Sequence, residues 1–351
     1  MTLLDHIIFR EYESSTRGLP IFRVLFALYI LLIFLPRYEW ISHFPDAFFH
    51  PPPGLTLFFS GFPSPWVFHG LHFGIALSAL ALLVGYRTRL FALALGALML
   101  FGNAWAYSFG KINHDIFLIA VPLVMAFSGW DGRLTETSKK EHLPAWPLAL
   151  LALLIGLGML SAGAPKITSG WHEPDTLASL GHVIRHHYVV GADSLLGQPL
   201  MDLDSRALWI LADYGALFLE LGFILAIFHH RSMRLFCALA AFFHLGVYLV
   251  MGLRLTSVLP AYAAFVNWSL LLQYAPISRA ASWCQKGFDR LRWPHLLVGA
   301  AFLTTFYTLY SNPWSDHLHI LLLGSAALIA LIYLAWESRQ IYALIRDNIR
   351  S

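Results

Sequence analysis

Long apolar runs separated by short polar turns make up most of this chain. Ten runs approach the roughly 20 residues that cross a bilayer as a helix. They lie at about 20–37, 66–85, 88–108, 113–130, 146–165, 207–229, 232–251, 255–275, 294–311 and 316–337. The pattern predicts an all-α polytopic membrane protein, a helical bundle of about ten transmembrane helices. Pro122 and Pro260 fall inside runs, where a proline kinks a helix or frees a carbonyl. Two intervening loops are long. Residues 38–65 hold too many prolines for a regular element. Residues 167–206 have room for a short interfacial helix around 174–188.

Composition sharpens this picture. Of 351 residues, 58% are hydrophobic and 12% charged, against about 25% charged in an ordinary soluble domain. Mean hydropathy is +0.63. The basic residues are scattered over short loops, which excludes a nucleic-acid-binding patch and leaves the lipid bilayer as the first partner. With the N-terminus inside and ten alternating spans, 17 of the 23 Lys and Arg residues fall on the cytoplasmic side. The six on the other side are Arg37, Lys111, Lys166, Arg185, Arg206 and Arg254. This bias predicts that both termini are cytoplasmic. Short loops and a clear charge bias fit a bacterial inner (plasma) membrane. Cys237 and Cys284 lie far apart and carry no pairing or metal signature.

Ionisable residues at membrane depth are the candidates for chemistry. Lys166 ends the fifth run, and Trp171 follows five residues later. An end-of-helix lysine ordinarily snorkels to the interface. Here Gly158, Ser161, Ala162, Gly163 and Ala164 precede it, and small residues let helices pack closely. That packing would hold the ammonium against protein, where it gives up its proton more easily. Asn113-His114-Asp115 opens the fourth span. Asn113 suits a helix cap, His114 sits just inside the apolar run, and Asp115 is placed to orient the imidazole. Asp213 and Glu220 lie seven residues apart, two turns on one face, and need partners from other elements. His244 is mid-helix, and Arg254 follows near the outer end. His182, His186 and His187, with His43 or His50, form a possible metal-handling set, though no acid–histidine motif supports one.

Several of these segments, in this order, resemble the membrane part of the vitamin K-dependent gamma-carboxylase family, also called the HTTM (horizontally transferred transmembrane) family. Gly85-Tyr-Arg87-Thr-Arg89 resembles its Gly-x-x-x-Arg turn, and Asn113-His114 its Asn-His helix opening. Ala162-Gly163-Ala164-Pro165-Lys166-Ile167 with Trp171 resembles its Ala-Gly-x-x-Lys-Leu…Trp signature. Leu219-Glu220-Leu221 and Phe243-His244 resemble its acidic-Leu and Phe-His pairs. The resemblance covers about 20–270. It divides the chain into a transmembrane domain of about eight spans, 1–275, and a segment 276–351. The latter holds a basic cytoplasmic loop, two additional transmembrane helices and a tail.

The resemblance implies a reduced vitamin K or menaquinone-type naphthoquinol as cofactor, with O2 and CO2 as co-substrates. In the family's carboxylases a membrane lysine deprotonates the quinol, and oxygen addition gives an epoxide and a strong base that opens a glutamate to carboxylation. By position Lys166 is the base, and His114 matches a histidine near the quinone. His114 or His244 would stabilise the phenolate. Asn113, Asp115, Trp171, Asp213, Glu220 and Arg254 would complete the quinone site. The family's protein carboxylases carry a large extramembrane domain after the helices. Here a basic loop and two apolar spans stand in that place, so a quinol-oxidising enzyme is expected over a polypeptide carboxylase. Two other readings remain open. One is a non-catalytic membrane partner in the maturation or export of secreted peptides, with Lys166 exposed at the lipid interface. The other is the histidine-based metal handler.

Overall fold

The computed structural model describes residues 2–13, 18–51, 54–110, 114–134, 144–310 and 315–350. Among them the regular structure is entirely helical. In chain order the α-helices are α1 (Leu3–Phe9), α2 (Leu19–Leu32), α3 (Pro65–Val84), α4 (Thr88–Ala106), α5 (Asp115–Met125), α6 (Trp146–Thr168) and α7 (Ala178–Ile184). They continue with α8 (Gly197–Asp202), α9 (Arg206–Ala226), α10 (His230–Met251), α11 (Leu259–Ala263), α12 (Ala275–Phe288), α13 (Trp293–Leu309) and α14 (Ser315–Arg350). Six helices are long and apolar enough to cross a membrane: α3, α4 with its short extension to Phe109, α6, α9, α10 and His317–Gln340 of α14. Helices α2 and α5 are apolar but shorter.

Nine of the ten expected spans coincide with a helix, and the eighth does not. Residues 255–275 contain only the five residues of α11 and a 3-10 turn over Trp268–Gln273. The apolar character of this segment has another origin. Val258, Leu259, Ala261, Tyr262, Ala264 and Phe265 are all buried. Non-helical backbone at membrane depth is tolerated where protein, not lipid, surrounds it. Hydropathy cannot separate a chain buried in protein from one buried in lipid. Loop 38–65 also differs from expectation. It holds 3-10 turns at Glu39–His43, Asp46–Phe48 and Leu55–Phe58. Aromatic pairs pin them, among them Phe44 with Phe109 at 4.7 Å and Phe59 with Trp105 at 4.9 Å between ring centroids.

The chain forms two compact units interleaved in sequence: residues 1–151 with 263–316, and residues 152–262 with 317–351. In the first, α3 is central, with α2, α4 and α13 packed on it and α5 packed on α4. Buried Arg23 of α2 donates to the carbonyls of Trp130 and Gly132, at 2.9 and 3.1 Å. The chain after α5 is thereby tied to α2. In the second unit α9 packs on α10 and α7 on α9. Thr256 joins His319 of α14 by a 2.7 Å hydrogen bond. Helix α6 comes close to α9 because Gly163 lacks a side chain. A Cβ there would lie 3.0 Å from both the Glu220 Cβ and a Leu221 side-chain atom, tighter than ordinary packing. This is the close approach that the small residues before Lys166 predict.

Candidate functional site

The site is built around Lys166 in the last turn of α6. The helix ends at Gly170, whose φ of +79° is left-handed. The Gly170 amide then donates to the Ile167 carbonyl and the Trp171 amide to that of Lys166, at 3.2 and 3.0 Å. This is the Schellman arrangement, and it folds Trp171 back over the helix end. The Lys166 Nζ stands 4.8 Å from the Trp171 ring centroid, a cation–π contact. The five-residue spacing from Lys to Trp is thus a consequence of how the helix stops.

The ammonium also forms an ion pair with Glu220 Oε1 of α9. The Lys166 side chain is 23% exposed and that of Glu220 only 9%. Lys166 is therefore held against protein. The other carboxylate oxygen, Glu220 Oε2, is buried and has no hydrogen-bond partner among the described residues. A buried acceptor left unmatched is costly, so this oxygen calls for a donor that the described residues do not supply.

Asp213, two turns earlier on α9, has a different task from the quinone contact expected of it. Its two oxygens accept from the amides of Ala178 and Ser179, at 2.9 and 2.7 Å. Both fall in the first turn of α7, where the helix leaves amides without internal partners. Asp213 thus fixes α7 to α9, and α7 carries His182. The His182 ring lies 5.5 Å from that of Trp171. Burial, then His186, Lys166 and Arg185, hold its pKa below the ordinary histidine value. After α7 the chain runs into a π-helical turn, Arg185–Val189, so this loop contains a short helix within the expected 174–188 stretch. Among the described residues His182, His186 and His187 do not bring three ligand atoms together.

His244 of α10 is buried at 1% exposure and hydrogen-bonds through Nε2 to the Tyr262 hydroxyl at 3.1 Å. The Tyr262 ring stacks between His244 and Phe223, at 5.9 and 6.0 Å. Phe223 is three residues after Glu220 on α9, and Tyr262 feels the Glu220 charge. Tyr262 and Phe223 were absent from the sequence-derived site. The one signal for Tyr262 was a hydroxyl inside an apolar run, two residues after Pro260.

The other expected residues divide between the units. His114 and Asp115 belong to the first unit, and Lys166, Glu220 and His244 to the second. His114 occupies the N-cap position of α5, whose first residue is Asp115. The helix thus starts later than the expected residue 113. Asn113 lies outside the described residues. In the same unit Asp115 acts electrostatically on Tyr38 and Tyr107. Asn103 donates to the Tyr38 hydroxyl at 2.7 Å. Arg254 is exposed in the extended stretch between α10 and α11.

The HTTM domain model matches residues 9–258. The chain belongs to the HTTM family. The matched range contains Lys166, Trp171, Glu220 and His244, and the HTTM domain links the chain to the vitamin K-dependent carboxylase family. Comparison with curated proteins and with solved structures gives no match.

Proposed function

We infer that this HTTM protein is an integral membrane enzyme that binds a reduced naphthoquinone and oxidises it with dioxygen. The observation that carries the reading is the Lys166–Glu220 pair. It presents a cation, a buried acceptor oxygen without a donor among the described residues, and an aromatic face at Trp171. A quinol fits that set, because its hydroxyl supplies the missing donor to Glu220 Oε2. Bound there, the quinol would supply the reducing electrons for oxygen.

Lys166 and Glu220 together take up the phenolic proton. Lys166 is a base only once the proton it shares has passed to the carboxylate. With that proton on Nζ, the acceptor is Oε2, and the ammonium remains to stabilise negative charge on the phenolic oxygen. Trp171 limits water at the ammonium, which strengthens both effects. The His244–Tyr262 pair, within electrostatic reach of Glu220, provides the next proton-carrying groups. Carboxylation of a separately bound substrate remains part of the reading. The topology that suits the reading has ten crossings, counting the broken eighth segment, and both termini in the cytoplasm of a bacterial inner membrane.

The test uses purified protein in nanodiscs with reduced naphthoquinones under air, and mass spectrometry for the epoxide. Epoxide from the wild-type protein that falls at least a hundredfold in Lys166→Ala and Glu220→Gln is the expected result. Folded protein that yields none from any naphthoquinol would overturn the reading in favour of a non-catalytic membrane partner.

A further inference from the structure

Helix α12 presents a face that the proposed chemistry does not use. Arg279, Trp283, Lys286 and Arg290 follow one another at spacings of four, three and four residues, one stripe of a helix. Arg290 lies in the turn just past the helix end. All four are exposed, Trp283 at 77%. The opposite side is anchored. Buried Gln285 accepts from the Leu134 amide at 3.0 Å and donates to Asp289 at 2.9 Å. Asp289 in turn binds Arg133 at 2.6 Å. Asp289 is the single acid between 275 and 293, and these bonds turn it away from the stripe. The exposed face is therefore wholly cationic, with an indole at its centre.

Connectivity places this face. Helix α13 begins at Trp293, five residues after α12 ends at Phe288, so at most about 18 Å of chain separates them. Residues 293–309 are apolar, and the helix exposes Val298 at 70% and Phe302 at 67%, as a lipid-facing helix does. Helix α13 packs on α3, which is long and apolar enough to cross a membrane, with Gly299 beside Leu80 near the end of α3, and this neighbour sets the level of α12. Tryptophan prefers the membrane–water interface, and arginine and lysine there meet headgroup phosphates. Exposed Tyr274 and Trp293 flank the helix in sequence.

We propose that the Arg279–Trp283–Lys286–Arg290 face of α12 is a binding surface for anionic phospholipid headgroups. Arg279, Lys286 and Arg290 neutralise the phosphates, and Trp283 inserts between the headgroups. Gln285 and Arg133 hold the face toward the lipid, so its orientation is built into the fold.

The experiment places an environment-sensitive fluorophore beside the stripe, at exposed Ala280. The full-length Ala280→Cys protein carries Cys284→Ser so that the label is specific. Its emission is compared in phosphatidylcholine nanodiscs with and without phosphatidylglycerol. The expected result is a blue shift that requires phosphatidylglycerol and disappears in high salt. Replacing Arg279, Lys286 and Arg290 by Gln should weaken phosphatidylglycerol retention by roughly fivefold per residue. An unchanged melting temperature for that variant in phosphatidylcholine keeps the comparison clean. A blue shift equal in both lipids would overturn the proposal, because the face would then contact the bilayer without reading headgroup charge. No shift in either would also overturn it, by placing the face in water and open to a soluble partner.

Discussion

At the scale of the residue, the ion pair of partly exposed Lys166 with buried Glu220 has a measurable signature. Removing one member of a buried ion pair strands the other, at about 3–5 kcal/mol when both are fully buried. Lys166 is partly exposed, so Lys166→Met should cost less than that and still lower the melting temperature in detergent. Adding Glu220→Leu should restore most of the loss, since the stranded carboxylate is gone, yet leave epoxide formation abolished. A double variant no more stable than the single one would mean that Glu220 does not depend on Lys166. Glu39 offers a second test. Burial works to raise its pKa, but the hydrogen bond from His72 outweighs it together with the Glu39 backbone, and the net direction is down. A depressed carboxylate contributes stability above its unfolded value and loses it as pH falls through the folded one. The melting-temperature gap between wild type and Glu39→Gln should therefore be constant from neutrality to about pH 5 and close below about pH 4. A gap that persists at lower pH would argue against the Glu39–His72 bond, which spans 3.2 Å.

Among elements, α7 is tied to α9 by Asp213 through two backbone amides. The two oxygens of Asp213 take the first two amides of α7, and substitution of such a cap costs about 0.5–2 kcal/mol. Asp213→Ala should raise hydrogen exchange across 178–184 and release His182 from Trp171, while α9 itself stays protected. Uniformly raised exchange along α9 would show that Asp213 supports the whole unit and not α7 alone. The element scale is also where sequence reading met its limit. The helices α3, α6, α9 and α10 were legible because each is a long apolar run that a few isolated polar residues do not break. The segment 255–275 was misread as a helix because its apolar residues are buried in protein. Asp213 and Glu220 looked equivalent on one face, and only the elements opposite them gave one a helix cap and the other a lysine.

For the whole molecule, the broken segment sets the topology. A charge bias that places Arg279, Lys286, Arg290 and Arg292 inside requires the chain to cross the bilayer between α10 and α12. Reporter fusions at residues 138, 190 and 290 should place 190 alone on the outer side. Finding 190 and 290 on the same side would show that 255–275 enters and leaves by one face, and would invert α13 and α14. The sequence by itself determined the membrane class, most of the helices, the family likeness and the place of Lys166 at the end of an apolar helix. These follow from hydropathy, helical period and residue spacing, which are local along the chain. The tertiary structure alone decided that Lys166 is matched by Glu220, that Asp213 caps α7, and that His244 works with Tyr262. Each partner lies 18 or more residues away along the chain. Burial forces each of these polar groups to find a match, but only the packing of α6, α7, α10 and α11 chooses which.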